Sequence, residues 1–264
     1  MIRLLFVGDI MGGPGRRAIK ATLDGLVDRE RIDFVVANVE NAAGGFGLTA
    51  KVLQELESLP INVWTSGNHI WDKKEGVPLL DAHPALLRPA NYPEGNPGRG
   101  WCVEETAAGV PVAVVNLQGQ AFMAPIDNPF RAADRIMDEI ARTEPPPKLI
   151  LVDMHAEATS EKQAMGWYLD GRVTAVLGTH THVPTADERI LPGGTAFQTD
   201  VGMTGPYESV IGMRHEKVLE RFLYNTPRPF EPAKRDLQLR GAIVDADEET
   251  GRALAIRRVR VDGP

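Results

Sequence analysis

Four of the six histidines in this 264-residue chain directly follow runs of apolar residues, where the sequence changes from strand-like to loop-like. Two acidic residues occupy equivalent positions after other runs. A single histidine at such a position ordinarily serves a loop, but four of six beside two acids indicate a common chemical site. The residues concerned are Asp9, Glu40, His69, His155, His180 and His182.

Histidine nitrogens and carboxylate oxygens are ligands that suit first-row transition metals, and the amide oxygens of Asn41 and Asn68 can add to such a set. The chain has one cysteine, so a closed zinc site built from thiolates is not expected. Seven donors are too many for one metal with an open position, and they predict two metals that share a carboxylate. The predicted ligands are Asp9, Glu40, Asn41, Asn68, His155, His180 and His182.

Charge and spacing support this interpretation. Two divalent cations would outweigh the charges of Asp9 and Glu40, which would make the site attractive to phosphate inside an acidic protein. His180 and His182 are two residues apart, so in extended backbone both side chains would point to the same side.

Strand-like runs alternate with helix-like stretches as far as residue 177. This alternation predicts βαβ units around a mostly parallel sheet. Because ligand sites in such sheets lie beyond the carboxyl ends of the strands, the donors are expected at one edge. The strand-like runs are residues 2–7, 34–39, 62–65, 112–117, 149–152 and 173–177, and the helix-like stretches are 16–27, 49–59, 130–142 and 160–169.

The pattern changes beyond residue 186, where shorter runs indicate antiparallel strands. The expected result is a layered α/β sandwich that forms a single domain over residues 1–264. Antiparallel edge strands make a homo-oligomer an expected assembly. The later runs are residues 186–191, 195–198, 237–244 and 253–261, with one helix near 216–223.

The composition is that of an ordinary globular protein, with 43% hydrophobic and 25% charged residues. No apolar run approaches the ~18 residues that a membrane span requires, so no membrane partner is expected. The formal net charge of -7 argues against a long nucleic acid as partner. The lone Cys102 excludes an internal disulfide and favours a cytoplasmic location.

Three short blocks resemble the ordered motifs of the calcineurin-like metallophosphoesterases. That family usually has Asp-x-His in its first block, where this chain has Met11, and Gly-Asp in its second block, where this chain has Glu40 followed by Asn41. These departures, together with residues 8–12 and 199–206, are similar to the YmdB-like branch of phosphodiesterases, over nearly the whole chain. The three blocks are Gly8-Asp9, Gly67-Asn68-His69 and Gly178-Thr179-His180-Thr181-His182.

The resemblance implies a four-layer αββα sandwich with two metal ions per chain, either iron or manganese. It implies that Glu40 bridges the metals in place of an aspartate, and that Asn41 takes the position of the missing histidine. It further implies a phosphodiesterase whose substrate is a small phosphodiester, namely a 2′,3′-cyclic or 3′,5′-cyclic nucleotide.

A mechanism follows from such a site. Two metals about 3.5–4 Å apart lower the pKa of a shared water and clamp the phosphoryl oxygens of an in-line displacement, so a bridging hydroxide is expected to attack phosphorus. His69 directly follows Asn68 and is expected to face the leaving group. Because a histidine has an ordinary pKa of ~6.5, it can donate a proton at neutral pH. His69 is therefore assigned as the general acid, with a further metal ligand as the alternative role.

Other interpretations compete with this one. Residues 13–18 match the Gly-x-Gly-x-x-Ala dinucleotide fingerprint, but that interpretation leaves the strand-end histidines unused. Asp153 and Glu157 are expected in surface or capping roles. A phosphomonoesterase or a nuclease acting on short RNA would use the same chemistry, and a non-catalytic nucleotide-binding regulator is the alternative outside the enzymes.

Overall fold

The computed structural model describes residues 1–227 and 229–264, and within them the strands form two mixed sheets. The strands are β1 (Ile2–Val7), β2 (Asp9–Ile10), β3 (Phe34–Asn38), β4 (Val63–Thr65), β5 (Trp101–Glu105), β6 (Pro111–Gln118), β7 (Leu149–His155), β8 (Ala175–Thr179), β9 (Arg189–Ile190), β10 (Ala196–Gln198), β11 (Met203–Pro206), β12 (Leu237–Ala246) and β13 (Ala253–Asp262).

The first sheet has the order β2-β11-β12-β1-β3-β4, with β13 paired to β12, and the second has the order β5-β6-β7-β8-β10-β9. The helices are α1 (Gly12–Glu30), α2 (Ala50–Glu57), α3 (Leu79–Ala82), α4 (Pro129–Ile140), α5 (Thr159–Tyr168) and α6 (His215–Tyr224), with two 3-10 helices at Asn68–Trp71 and Lys74–Gly76. Among the described residues, no helix is both long and apolar enough to cross a membrane.

The two sheets stack face to face, and helices cover their outer faces. In β1, Leu4 and Phe6 pack in the apolar layer between the sheets, whereas Leu5 and Val7 pack with α1 and α2. This alternation follows from the period of two in a strand. On the other side, α4 and α5 pack on the second sheet in a cluster that includes Val115. The predicted four-layer αββα sandwich is confirmed.

Strand direction in the second sheet differs from the prediction in one place. Residues 195–198 were expected to be antiparallel, but β10 pairs parallel to β8 and antiparallel to its other neighbour, the edge strand β9. The chain reverses in the turn between β9 and β10, where Leu191 and Thr195 pair through their backbones. That reversal returns β10 to the direction of β8, so the antiparallel prediction is confirmed for the pairing with β9 and wrong for the pairing with β8.

The first helix begins four residues earlier than predicted, and its Gly15 has a packing role. Pro14 and Gly15 lie in the first turn of α1, a position where proline is well tolerated. A Cβ on Gly15 would lie 2.4 Å from the carbonyl oxygen of Thr204 in β11. Gly15 belongs to the pattern that resembles a dinucleotide fingerprint, and it lets α1 pack closely against β11. The predicted cap of α2 is confirmed, because the Thr49 hydroxyl accepts the Val52 N–H at 3.3 Å.

Candidate metal centre

The predicted donors come together, but from both sheets rather than from the edge of one. Asp9, Glu40 and Asn68 follow strands of the first sheet, whereas His155 ends β7 and His180 follows β8 of the second. The carboxyl ends of these strands meet at a shared edge of the sandwich. The sequence predicted that these side chains lie along the edge of one sheet. The stacking of two sheets brings them together instead.

One set of donors surrounds the Nε2 atom of His155. This nitrogen lies 3.1 Å from Glu40 Oε1, 3.0 Å from Asn68 Oδ1 and 3.1 Å from His180 Nδ1. One ring nitrogen cannot satisfy three such partners at once. The ligand atoms of Glu40, His155 and His180 all lie within 4.8 Å of one another, so they could hold a metal ion.

A second set of donors lies next to the first and shares Glu40 with it. The Nε2 atom of His182 is 3.2 Å from the side-chain amide of Asn41 and 3.8 Å from Asp9 Oδ1. The same amide group is 3.3 Å from Glu40 Oε1. Glu40 therefore lies between the two sets and contacts members of both.

Each of the three histidines has its other ring nitrogen held by an acceptor outside these sets. His155 Nδ1 lies 2.9 Å from the Thr179 hydroxyl, His180 Nε2 lies 3.2 Å from Glu157 Oε2, and His182 Nδ1 lies 3.0 Å from the carbonyl oxygen of Ile211. A ring N–H donated outwards leaves the inner nitrogen with a lone pair to offer to a metal. The hydrogen-bond pattern therefore suits metal ligation at all three residues.

The backbone at His180 and His182 contradicts one prediction. Both residues have positive φ, 99° and 65°, so they do not lie in extended backbone and their shared direction does not come from strand alternation. Thr181 between them donates its N–H and its hydroxyl to Asp200 at 3.1 and 2.8 Å, and the buried Lys162 ammonium pairs with the same carboxylate at 2.7 Å. This buried ion pair holds the loop that carries both histidines.

Asp153 was predicted in a surface or capping role, and that prediction was wrong because it is fully buried in β7. Its carboxylate accepts hydrogen bonds from Asn38 Nδ2 at 3.0 Å, the Thr65 hydroxyl at 2.5 Å and the Thr179 hydroxyl at 2.6 Å. Since Thr179 gives its proton to Asp153, it accepts the Nδ1–H of His155. Asp153 thereby fixes the ring of His155. The i, i+2 spacing of Asp153 and His155 in a strand was the signal that could have revealed this link.

Glu157 lies at the surface, which is one of the two roles predicted for it, and it has a partner that was not predicted. Its carboxylate is half-exposed and pairs with His180 rather than capping a helix. Pairing of a carboxylate with the outer nitrogen of a metal-ligating histidine is a common arrangement in metal sites.

Burial and mutual attraction determine the protonation of this cluster. Burial disfavours the carboxylate of Glu40, but the adjacent His155 ring outweighs burial and lowers the pKa of Glu40. The pKa of His155 is raised in turn, because the attraction of Glu40 outweighs its burial. Burial lowers the pKa of His180 to about 3, so that ring is neutral and offers a lone pair. Burial raises the pKa of Asp9, and a cation bound beside it would favour its ionised form.

Close packing around the donors leaves no room for a larger residue at Gly67. A Cβ at this position would lie 2.1 Å from the ring of His155. The glycine of the Gly67-Asn68-His69 block therefore lets the chain pass close to the histidine and place Asn68 against it. Donor chemistry, outward-held ring nitrogens and this close approach together fit a transition-metal centre.

His69 lies beside the donor sets without joining them through its ring. Its backbone N–H donates to Glu40 Oε2 at 2.9 Å, and its Nδ1 lies 2.8 Å from Asp72 Oδ2. Its ring packs against Phe46 with the ring centres 4.9 Å apart. His69, Phe46 and Glu40 line the same cavity. Asp72 was not predicted from the sequence, although its i, i+3 spacing from His69 is the kind that brings side chains together in a helical turn.

Two stacked mixed sheets with outer helices and a histidine–carboxylate cluster at their shared edge define the metallophosphoesterase class. Within that class the chain belongs to the YmdB-like family, whose model matches residues 5–259.

The chain is similar to several bacterial proteins. The chain is 48% identical over 261 residues to a Bacillus subtilis protein named 2′,3′-cyclic-nucleotide 2′-phosphodiesterase, covering 99% of this chain and 97% of the relative. A Thermus thermophilus structure described as a hypothetical protein matches with a TM-score of 0.92 and 44% identity, over 100% of both chains. A Mycoplasma pneumoniae structure described as a novel phosphatase matches with a TM-score of 0.92 and 36% identity, over 99% of this chain and 94% of the other.

Proposed function

We propose that the chain is a two-metal phosphodiesterase that hydrolyses small cyclic nucleotides in the cytoplasm. The observation that carries the proposal is that three histidines each have one ring nitrogen held outwards and the other directed into a donor set. The name of the Bacillus subtilis relative supports 2′,3′-cyclic nucleotides as the substrate class. The proposal takes residues 1–264 as one domain, since one apolar layer joins the two sheets.

Two metals, iron or manganese, are assigned to the two donor sets. His155, His180 and Asn68 would hold one, and Asp9, Asn41 and His182 would hold the other. Glu40 is the shared ligand because its carboxylate contacts both sets. When bound, the pair of cations would lower the pKa of a water and offset the charge on the phosphoryl oxygens.

His69 would donate its Nε2 proton to the departing oxygen. Asp72 accepts the Nδ1–H at 2.8 Å, which fixes the ring orientation. Phe46 packs against the ring and limits its rotation. The backbone N–H that His69 donates to Glu40 keeps the acid beside the donors.

The test is turnover by the metal-loaded chain on a panel of phosphate esters, with metal content measured on the same sample. We expect about two metals per chain and hydrolysis of 2′,3′-cyclic nucleotides, with 3′,5′-cyclic nucleotides as the second substrates. A chain that holds two metals and hydrolyses no phosphodiester contradicts the proposal. A chain that binds nucleotide without metal or turnover is a regulator instead.

We expect a preference for diesters over monoesters. A diester carries one negative charge and a monoester close to two at neutral pH, and the half-exposed Glu157 adds negative charge beside the site. The measurement is kcat/KM for bis-p-nitrophenyl phosphate against p-nitrophenyl phosphate, which share a leaving group. A higher value for the monoester reverses this prediction.

Replacing Thr179 with valine is expected to weaken metal binding by about 10- to 100-fold, the usual effect of losing a partner that orients a ligand. Valine keeps the shape but removes the acceptor of the His155 Nδ1–H and a donor to Asp153. Competition with a chelator for Mn²⁺ measures the affinity. Thr179→Ser keeps the hydroxyl and is the matched control, for which near wild-type affinity is expected. Equal affinity in the valine variant, folded by circular dichroism, would show that the hydroxyl does not orient His155.

A further inference from the structure

The donor sets occupy only one side of a cavity of about 540 Å³. Glu40, His69 and His182 line that side. Much of the remaining lining is apolar and includes Phe46, Phe222, Ile211, Val183 and Phe230. None of these apolar side chains is a metal donor, so the cavity has a second part whose chemistry differs from that of the first.

Helix α6 supplies the most exposed of these apolar residues. Val218 is buried in a small cluster with Met11, Met203 and Met213, which anchors the helix beside the site. Phe222 lies one turn further along the same face, yet its side chain is 81% exposed. An aromatic ring on an anchored helix, left uncovered at the border of a cavity, is available to pack against a ligand.

Phe46 offers a second aromatic ring on the same cavity. It is 37% exposed and lies in contact with His69, the proposed acid. His69 and Phe46 line one cavity, so a ligand whose phosphate reaches the donors has space to extend past His69 towards Phe46. The substituent on that phosphate meets aromatic and aliphatic side chains, which bind a flat, weakly polar group better than a sugar or a second phosphate.

From this arrangement we infer that Phe46 and Phe222 form a nucleobase subsite, in which the base of the substrate packs against aromatic rings while its phosphate reaches the donors. The inference rests on the proposed phosphodiesterase function and adds the residues that select for a nucleotide. Stacking on an aromatic side chain is tolerant of base identity, because every base has a flat π-face. The subsite therefore favours nucleotides over other diesters without selecting strongly among bases.

Calorimetry of the metal-loaded chain tests the subsite independently of turnover. The probes are adenosine 3′-monophosphate and glycerol 2-phosphate, both secondary phosphate monoesters, of which only the first has a base. The wild-type chain should bind the nucleotide about 5- to 100-fold more tightly than glycerol 2-phosphate. Phe222→Ala and Phe46→Ala should each reduce that ratio by at least about 5-fold.

Leu223→Ala is the matched control. Leu223 follows Phe222 on α6, is 73% exposed, and is not among the described residues that line the cavity. Its variant should keep the wild-type ratio. A wild-type ratio near one, or a ratio that Phe222→Ala and Phe46→Ala leave unchanged, overturns the subsite. Failure of the proposed function shows separately, as absent turnover of cyclic nucleotides, while the calorimetric ratios still decide the subsite.

Discussion

Glu40→Gln is expected to release one or both metals and to reduce turnover of 2′,3′-cyclic nucleotides by more than about 100-fold, since it removes a proposed ligand rather than a partner that only orients one. The substitution keeps the shape of the side chain but removes a carboxylate whose Oε1 atom contacts side-chain atoms of both donor sets. Glu40 is fully buried, so no solvent can replace its charge. Elemental analysis of the purified variant measures the loss directly.

Glu57→Gln is the matched control, because the same chemical change then falls on a half-exposed carboxylate that pairs with His83. It should retain both metals and wild-type turnover. A Glu40→Gln chain with full metal occupancy and unchanged turnover would remove Glu40 from the role of shared ligand.

His69→Ala should slow the hydrolysis of a cyclic nucleotide by about 100- to 10,000-fold while both metals stay bound. A cyclic nucleotide releases a poor alkoxide leaving group that needs a proton, whereas p-nitrophenolate leaves without one. The variant should therefore lose much less activity on bis-p-nitrophenyl phosphate. The two measurements are kcat on both substrates and metal content.

The chain contains a close control for His69. His83 has similar exposure and likewise pairs its Nδ1 with a carboxylate, Glu57 at 3.0 Å, but it lies in a loop after α3. His83→Ala should leave kcat unchanged on both substrates. If His69→Ala loses activity equally on both substrates and also loses metal, His69 is a ligand or a structural residue.

The fold could be predicted where burial imposes a strong pattern on the sequence. Strands such as β1 and β3 are apolar on both faces because a sheet covers one side and helices cover the other, so their bounds were predicted to within a residue. β5 and β11 were missed. β11 is four residues long and contains Gly205 and Pro206, which are poor strand formers, and its place in the sheet depends on pairing with distant β2 and β12.

The candidate site could likewise be predicted from the sequence only in part. The donor types could be predicted because metal chemistry selects few side chains, and strand ends bring them to one edge. The route by which His180 and His182 reach the site could not be predicted, because their positive φ depends on Thr181 and on Asp200 packed against it. Nor could the sequence show that Lys162 in α5 is buried and paired with that same carboxylate.

Two metals sharing Glu40 at the meeting edge of the two sheets is the arrangement on which the proposed function depends. Anomalous diffraction from crystals of the Mn²⁺-loaded chain tests it most directly, because each bound metal gives its own peak. We expect two peaks about 3.5–4 Å apart, one on each side of the Glu40 carboxylate. A single peak, or a pair of peaks of which Glu40 touches only one, would contradict it.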